Sequence, residues 1–267
     1  MTIQALYSAA TGMISLETKL DTISNNLANM ETTAFKRDRA NFEDLFYRHD
    51  KMPGAQDSGG QMTAVGTEIG LGTRVCSTQT DFTQGSFKQT SGQLDLAIEG
   101  RGFFRVLDPS GEVRYTRSGN FSLNANGQVV MGSAQTGRLL DPTITIPQDA
   151  LAVVVSPDGK VSVRQPGNTN MNQIGTLELS SFVNPEGLLK LGENLYAETD
   201  SSGTATSSVP GQQGMGVLRQ STLEASNVEP VTELIDLITT QRAFELNSQC
   251  VQTGVQLMQV VANMKRS

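Results

Sequence analysis

The sequence predicts an α+β protein: long N- and C-terminal helices paired as a coiled coil, with an all-β central body and extended β-rich connections. Three observations carry this. Apolar residues recur at alternating spacings of three and four at both ends of the chain. A two-residue alternation replaces that rhythm in the middle, and Gly-rich polar stretches separate the two regimes.

The N-terminal stripe is Leu6, Ala9, Met13, Leu16, Leu20, Ile23, Leu27 and Met30, a heptad seam with no proline and a single glycine, Gly12. A helix of that length spans about 43 Å at 1.5 Å per residue. Ile3, Ala10 and Ile14 flank the seam and widen its apolar face. Three poor helix formers, Asn25, Asn26 and Asn29, sit beside the end of the stripe in "SNNLANMETTAFKR".

Residues 48–72, "RHDKMPGAQDSGGQMTAVGTEIGLG", are polar and Gly-rich and read as an extended connection. Apolar anchors bracket it, Phe42, Leu45 and Phe46 before and Ile69, Leu71 and Val75 after. Folded back on itself, the segment reaches about 40 Å. We expect it to brace a neighbouring copy, with Pro53, Gly54, Gln56 and Gly66 as its stiffening residues. The middle then turns to short strands. Asn126-Gly127 and Asp158-Gly159 are strong hairpin turns, and Ser110-Gly111 is a weaker one. A second polar connection follows at 200–216.

The C-terminal stripe is Leu234, Leu237, Gln241, Phe244, Ser248, Val251, Val255, Met258 and Ala262, flanked by Ile235, Ile238, Leu257, Val260 and Val261. Asn227 is expected as its N-cap and Pro230 in its first turn. Neither end helix is stable in water with its stripe exposed, so the two are expected to pair, leaving apolar surface over. That surplus is covered either by the β body or by neighbouring copies. The long connections favour the copies. The expected domains are 1–34 plus 227–267 as helical core, 35–92 plus 203–226 as extended connector, and 93–202 as outer β domain.

Chemistry is sparse. The net charge of the 267 residues is −7, and basic residues are scattered, which argues against a nucleic-acid partner. His49 is the only histidine, too few for a metal centre or a Ser-His-Asp site, and it reads as solvated. The Gly70/Gly72, Gly100/Gly102 and Gly214/Gly216 pairs do not extend to a dinucleotide fingerprint and read as turns. Glu43-Asp44 and Asp95/Glu99 read as solvated acids, and Cys76 and Cys250 as buried free thiols. No catalytic residue, metal ligand or cofactor is expected. No run approaches a membrane span, and no basic residue precedes Lys19, so no cleavable signal is expected. Cytoplasmic residence and export by a signal-independent route are both open.

Three stretches carry a resemblance. "NNLANMETTAFKR", "LDLAIEGRGFFRV" with "YTRSGNFSLNANGQVV", and "SNVEPVTELIDLITTQRAFELNSQ" together resemble bacterial flagellar rod and hook proteins, in that order along the chain. Residues 42–75 and 192–203 resemble the distal part of the rod in particular. The resemblance implies a structural, self-assembling tube beneath the hook that transmits torque and carries exported subunits through its bore. The paired helices would line the bore and the β body would lie outside. It also implies partners: further copies of the chain, proximal rod proteins below, hook protein above, P- and L-ring proteins around it, and the flagellar type III export apparatus. On this reading Asn25, Asn26 and Asn29 fix the register between copies, or alternatively cap a frayed helix end. A proximal rod protein, and a secreted β-rich enzyme or adhesin, are the competing readings.

Overall fold

The computed structural model describes residues 2–54, 56, 61–62, 64–132, 137–167 and 170–264. The chain forms two compact units. The first comprises residues 1–28, 38–80 and 229–267, and the second residues 29–37 and 81–228.

In the first unit the three-four stripes fold as expected into α1 (Thr2–Ala28) and α2 (Pro230–Met264), which pack together. They run antiparallel. Leu6 lies beside Gly254, Gly12 beside Asn247, and Asn26 beside Glu233. This brings the start of α1 and the end of α2 to one end of the unit, and α2 overhangs the start of α1 by about 10 Å at 1.5 Å per residue. The seam residue Met30 falls beyond α1. Asn29 ends the helical run: its carbonyl accepts the Thr32 N–H at 3.1 Å and its side-chain oxygen the Thr32 hydroxyl at 3.2 Å, closing a turn. Pro230 opens α2 as expected, but Asn227 is not its cap. The Glu229 carbonyl accepts the Glu233 N–H at 3.1 Å, so the helix starts two residues later. Asn227 instead accepts from the Arg37 N–H at 2.7 Å and donates to the Asp81 carbonyl at 2.8 Å.

The Gly-rich connection is a long antiparallel ribbon. β1 (Asp38–Asp44) pairs with β4 (Thr73–Thr80), and β2 (Tyr47–Lys51) with β3 (Thr67–Gly70). Leu45 and Leu71 amides donate to the Gly72 and Phe46 carbonyls, joining the two halves, and a Gln56–Met62 bridge lies further out. Part of the predicted 48–72 segment, at 55, 57–60 and 63, lies outside the described residues, as does the side chain of Ile3.

The second unit is β-rich. Among the described residues its main sheet has nine strands, ordered 189–192, 195–197, 113–116, 103–107, 139–141, 129–131, 121–123, with 179–181 joined to both 103–107 and 206–208. A three-stranded sheet runs 152–155, 160–164, 172–176. The predicted turns close hairpins here: Gly111, Gly127 and Gly159 adopt φ of 84°, 75° and 81°, open to glycine without strain. Phe104, Ile98, Val106, Leu140 and Leu179 centre one core, and edge-to-face rings of Phe103, Tyr115, Phe182 and Tyr196 a second.

Candidate assembly surface

The two helices are apolar on different sides. The predicted seam of α1 faces inward: Ile23 is buried, and Leu6, Met13, Leu16, Leu20 and Leu27 are half-buried. In α2 the inward face is rotated from the predicted seam by about one position. It comprises Glu233, Leu237, Thr240, Ala243, Asn247, Val251 and Gly254, so Leu237 and Val251 lie on it. Leu234, Phe244, Val255 and Met258 do not, and remain 36–46% exposed. The reason is steric. Small and polar residues let the backbones approach, and a Cβ on Gly12 would lie 3.2 Å from Asn247 Nδ2. The bulky side chains Ile235, Ile238, Leu246, Leu257, Val260 and Val261 stand outside, each more than half exposed.

The three asparagines separate. Asn25 is exposed, Asn29 shapes the turn after α1, and Asn26 is buried. Asn26 Oδ1 accepts the Asp38 N–H at 2.9 Å, while Nδ2 donates to the Asp38 carbonyl at 2.8 Å and to Glu233 Oε2 at 3.3 Å. Its amide is thus engaged within the protomer, which corrects the expectation that it meets neighbouring copies.

On the ribbon every β2 residue is exposed, as are Phe46, Met52, Met62 and Val65. Pro53 and Gly54 lie in an exposed turn, with Gly54 at φ 79°, and Gln56 forms the outer bridge. Gly66 is required by close approach, because a Cβ there would stand within 2.4 Å of the Lys51 carbonyl. His49 is exposed, opposite Glu68 at 3.2 Å. Both cysteines are free, but both are exposed rather than buried: Cys250 lies on the outward side of α2 and Cys76 on the ribbon.

The second unit holds a buried charge cluster that the sequence did not disclose. Lys36 Nζ donates to Glu224 Oε1 at 2.6 Å and to the Thr83 carbonyl at 2.7 Å. Arg117 Nε donates to Glu224 Oε2 at 3.0 Å, and its remaining nitrogens to the Gly100 and Gly102 carbonyls. Exposure is 0% at Lys36, 4% at Arg117 and 1% at Glu224. Burial pulls the Lys36 ammonium below its usual proton affinity, against the opposing pull of Glu224. Lys36 and Arg117 fall in "NNLANMETTAFKR" and "YTRSGNFSLNANGQVV", and Glu224 stands just before "SNVEPVTELIDLITTQRAFELNSQ".

Among the described residues no group of three or more His, Cys, Asp and Glu side chains could hold a metal ion. Paired end helices with outward apolar faces, a projecting ribbon and a β-rich unit define a structural building block. Known proteins agree. The model described as "Flagella basal body rod protein" matches residues 6–36, "Flagellar hook protein FlgE/F/G D1 domain" matches 97–163, and "Flagellar basal body rod FlgEFG protein C-terminal" matches 219–264. The flagellar basal-body rod protein FlgG of Caulobacter vibrioides is 42% identical over 264 residues, covering 98% of this chain and 100% of the relative. FlgG of Borreliella burgdorferi is 39% identical over 266 residues, covering 99% of each. The rod protein FlgF of Caulobacter vibrioides is 36% identical over 260 residues, covering 95% of this chain and 94% of the relative. The chain belongs to the flagellar basal-body rod protein family. It is a structural subunit of the rod and not an enzyme, resides in the flagellar basal body, and assembles there with other flagellar components.

Proposed function

We propose that the chain forms the distal segment of the rod, and that its copies pack into a helical tube serving as drive shaft and export channel through the periplasm and outer membrane. The outward apolar face of α2 carries this reading. A single helix presenting that many large side chains to water finds cover most readily in neighbouring copies. Leu234, Phe244, Val255 and Met258 then become contacts between copies, and Asn25 lies where such a contact would need a register.

In the tube the two helices wind as a shallow coiled coil. Support comes from their register: from Leu6 to Asn26 on α1 the partner moves from Gly254 to Glu233, nearly the same number of residues. The functional division is 1–34 plus 227–267 as inner helical domain, 35–92 plus 203–226 as connector, and 93–202 as outer domain. The ribbon favours the distal place. Its exposed strands would pair or pack onto an adjacent copy and brace the tube. Partners would be proximal rod proteins below, hook protein above, the P- and L-rings around, and the type III apparatus that exports the chain. A proximal place is the second reading, drawn from the likeness to FlgF.

Electron microscopy of the purified chain at raised concentration tests assembly. Ordered tubes support the proposal, and a monomer that persists at every concentration refutes it. Growth of hook protein directly on those tubes supports the distal place; failure to nucleate hook favours the proximal one.

A further inference from the structure

We propose that Asn26 is the positioning residue that fixes the direction in which the β-ribbon leaves the helix pair, and that Glu233 holds Asn26 in the orientation that does so. Both ends of the Asn26 amide grip one residue, accepting the Asp38 N–H at 2.9 Å and donating to the Asp38 carbonyl at 2.8 Å. That is the pair of bonds a neighbouring strand makes to a hydrogen-bonded residue of an antiparallel ladder. A single bond restrains a distance, whereas two bonds to one residue also restrain an angle. Asp38 is the first residue of β1, so the grip acts where the ribbon begins. Glu233, 1% exposed, accepts from the same Asn26 nitrogen at 3.3 Å and ties the joint to α2.

A second fastening lies near the other end of α1. Gly72, at φ 116°, rests on Thr11 and Ser8 so closely that a Cβ would stand 2.2 Å from Thr11 Oγ1. The two points are about 22 Å apart along the helix. Between them β1 and β4 are laid along α1, while β2 lies beyond Gly72 with every residue exposed. The direction of that outer arm is therefore set at the two fastenings, and Asn26 is the one at which a side-chain amide bonds both the N–H and the carbonyl of a single ribbon residue, whereas Thr11 Oγ1 only accepts the Thr73 N–H at 3.4 Å. Its effect on rod straightness rests on the bracing role proposed above, whereas the joint itself does not.

The test is hydrogen exchange read by mass spectrometry on polymers of the full chain. In Asn26→Ala, peptides covering 38–43 should exchange about tenfold faster, while peptides covering 9–23 stay within about twofold. Glu233→Gln keeps an acceptor for Asn26 and should change little, and Asn25→Ala should change nothing at 38–43. Where Asn26→Ala does not polymerise alone, it is mixed at about one copy in ten with isotope-labelled parent and read by mass. Unchanged exchange at 38–43, equal acceleration along α1, or failure to enter mixed polymers would each overturn the proposal. Faster exchange in rods that stay straight would leave the joint standing and remove the bracing reading instead.

Discussion

Leu6 lies over Gly254: a Cβ built on that glycine would stand 2.6 Å from Leu6 Cδ2. The α1–α2 contact therefore tolerates little added bulk at this point. Gly254→Ala gains roughly 1 kcal/mol of helix propensity, and the end of a leucine can swing aside, so this variant should assemble normally. Gly254→Val adds branched bulk that Leu6 cannot clear and should raise the critical concentration for assembly at least about tenfold, a cost of about 1.4 kcal/mol. Sedimentation of polymer against concentration measures both. Equal behaviour of the two variants would show that the helices do not meet here.

Inward and outward faces should respond differently to charge. Leu20→Asp or Val251→Asp places a carboxylate in the contact between α1 and α2, at a cost of several kcal/mol. Both should abolish polymer and also lower the helical circular dichroism of the monomer. Leu257→Asp, on the exposed side, should abolish polymer without altering the monomer spectrum. Normal rods from the Leu20 or Val251 variants would contradict the inward seam.

Glu224→Gln leaves the buried cations Lys36 and Arg117 without their shared anion. Losing one partner of a buried pair costs about 3–5 kcal/mol, so urea unfolding of the second unit should shift by that amount at neutral pH. The pH dependence has a definite sign. The folded Lys36 pKa is lowered, and removing the carboxylate lowers it further. The penalty is full below that folded pKa and shrinks as pH rises through it toward the ordinary value of 10.5. A shift under about 1 kcal/mol, or one that grows with pH, would mean that the cluster does not hold the unit together.

Deleting residues 50–66 removes the outer arm of the ribbon but keeps both fastenings to α1. Polymers should still form but bend, as read from contour curvature in micrographs. Rods as straight as the parent would reduce the segment to a linker and remove the physical support for the distal place.

Much of this was legible in the sequence, for reasons specific to each element. The end helices announced themselves by spacing, and the hairpins by Asn126-Gly127, Asp158-Gly159 and Ser110-Gly111, because local backbone preference decides both. The face by which α2 meets α1 was not legible. Large apolar residues cover more than one side of that helix, and the inward side was chosen by small residues such as Ala243 and Gly254, which carry little hydrophobic signal. Asn26 read as a misfit in a helix because its partner, Asp38, is reached only after the chain turns back. Lys36, Arg117 and Glu224 could not be joined in advance: 188 residues separate the first from the last, and sequence position places none of them inside. Cys76 and Cys250 were expected inside on residue type alone, and their elements turn them outward.

The contrast between inward and outward faces governs where such a shaft gives way. Inside a protomer the links are directional: the Asn26 grip on Asp38, the Glu224 pairings, the close seat of Gly12 against Asn247. Each is lost with an ångström of displacement. The exposed face of α2 is broad, apolar and indifferent to direction, so copies packed through it as proposed above would keep most of their buried area through a small step of shear. In a tube built that way, torsional load would be taken up as small slips between protomers while the links within each stay rigid, and the ribbon brace would limit how far each slip runs.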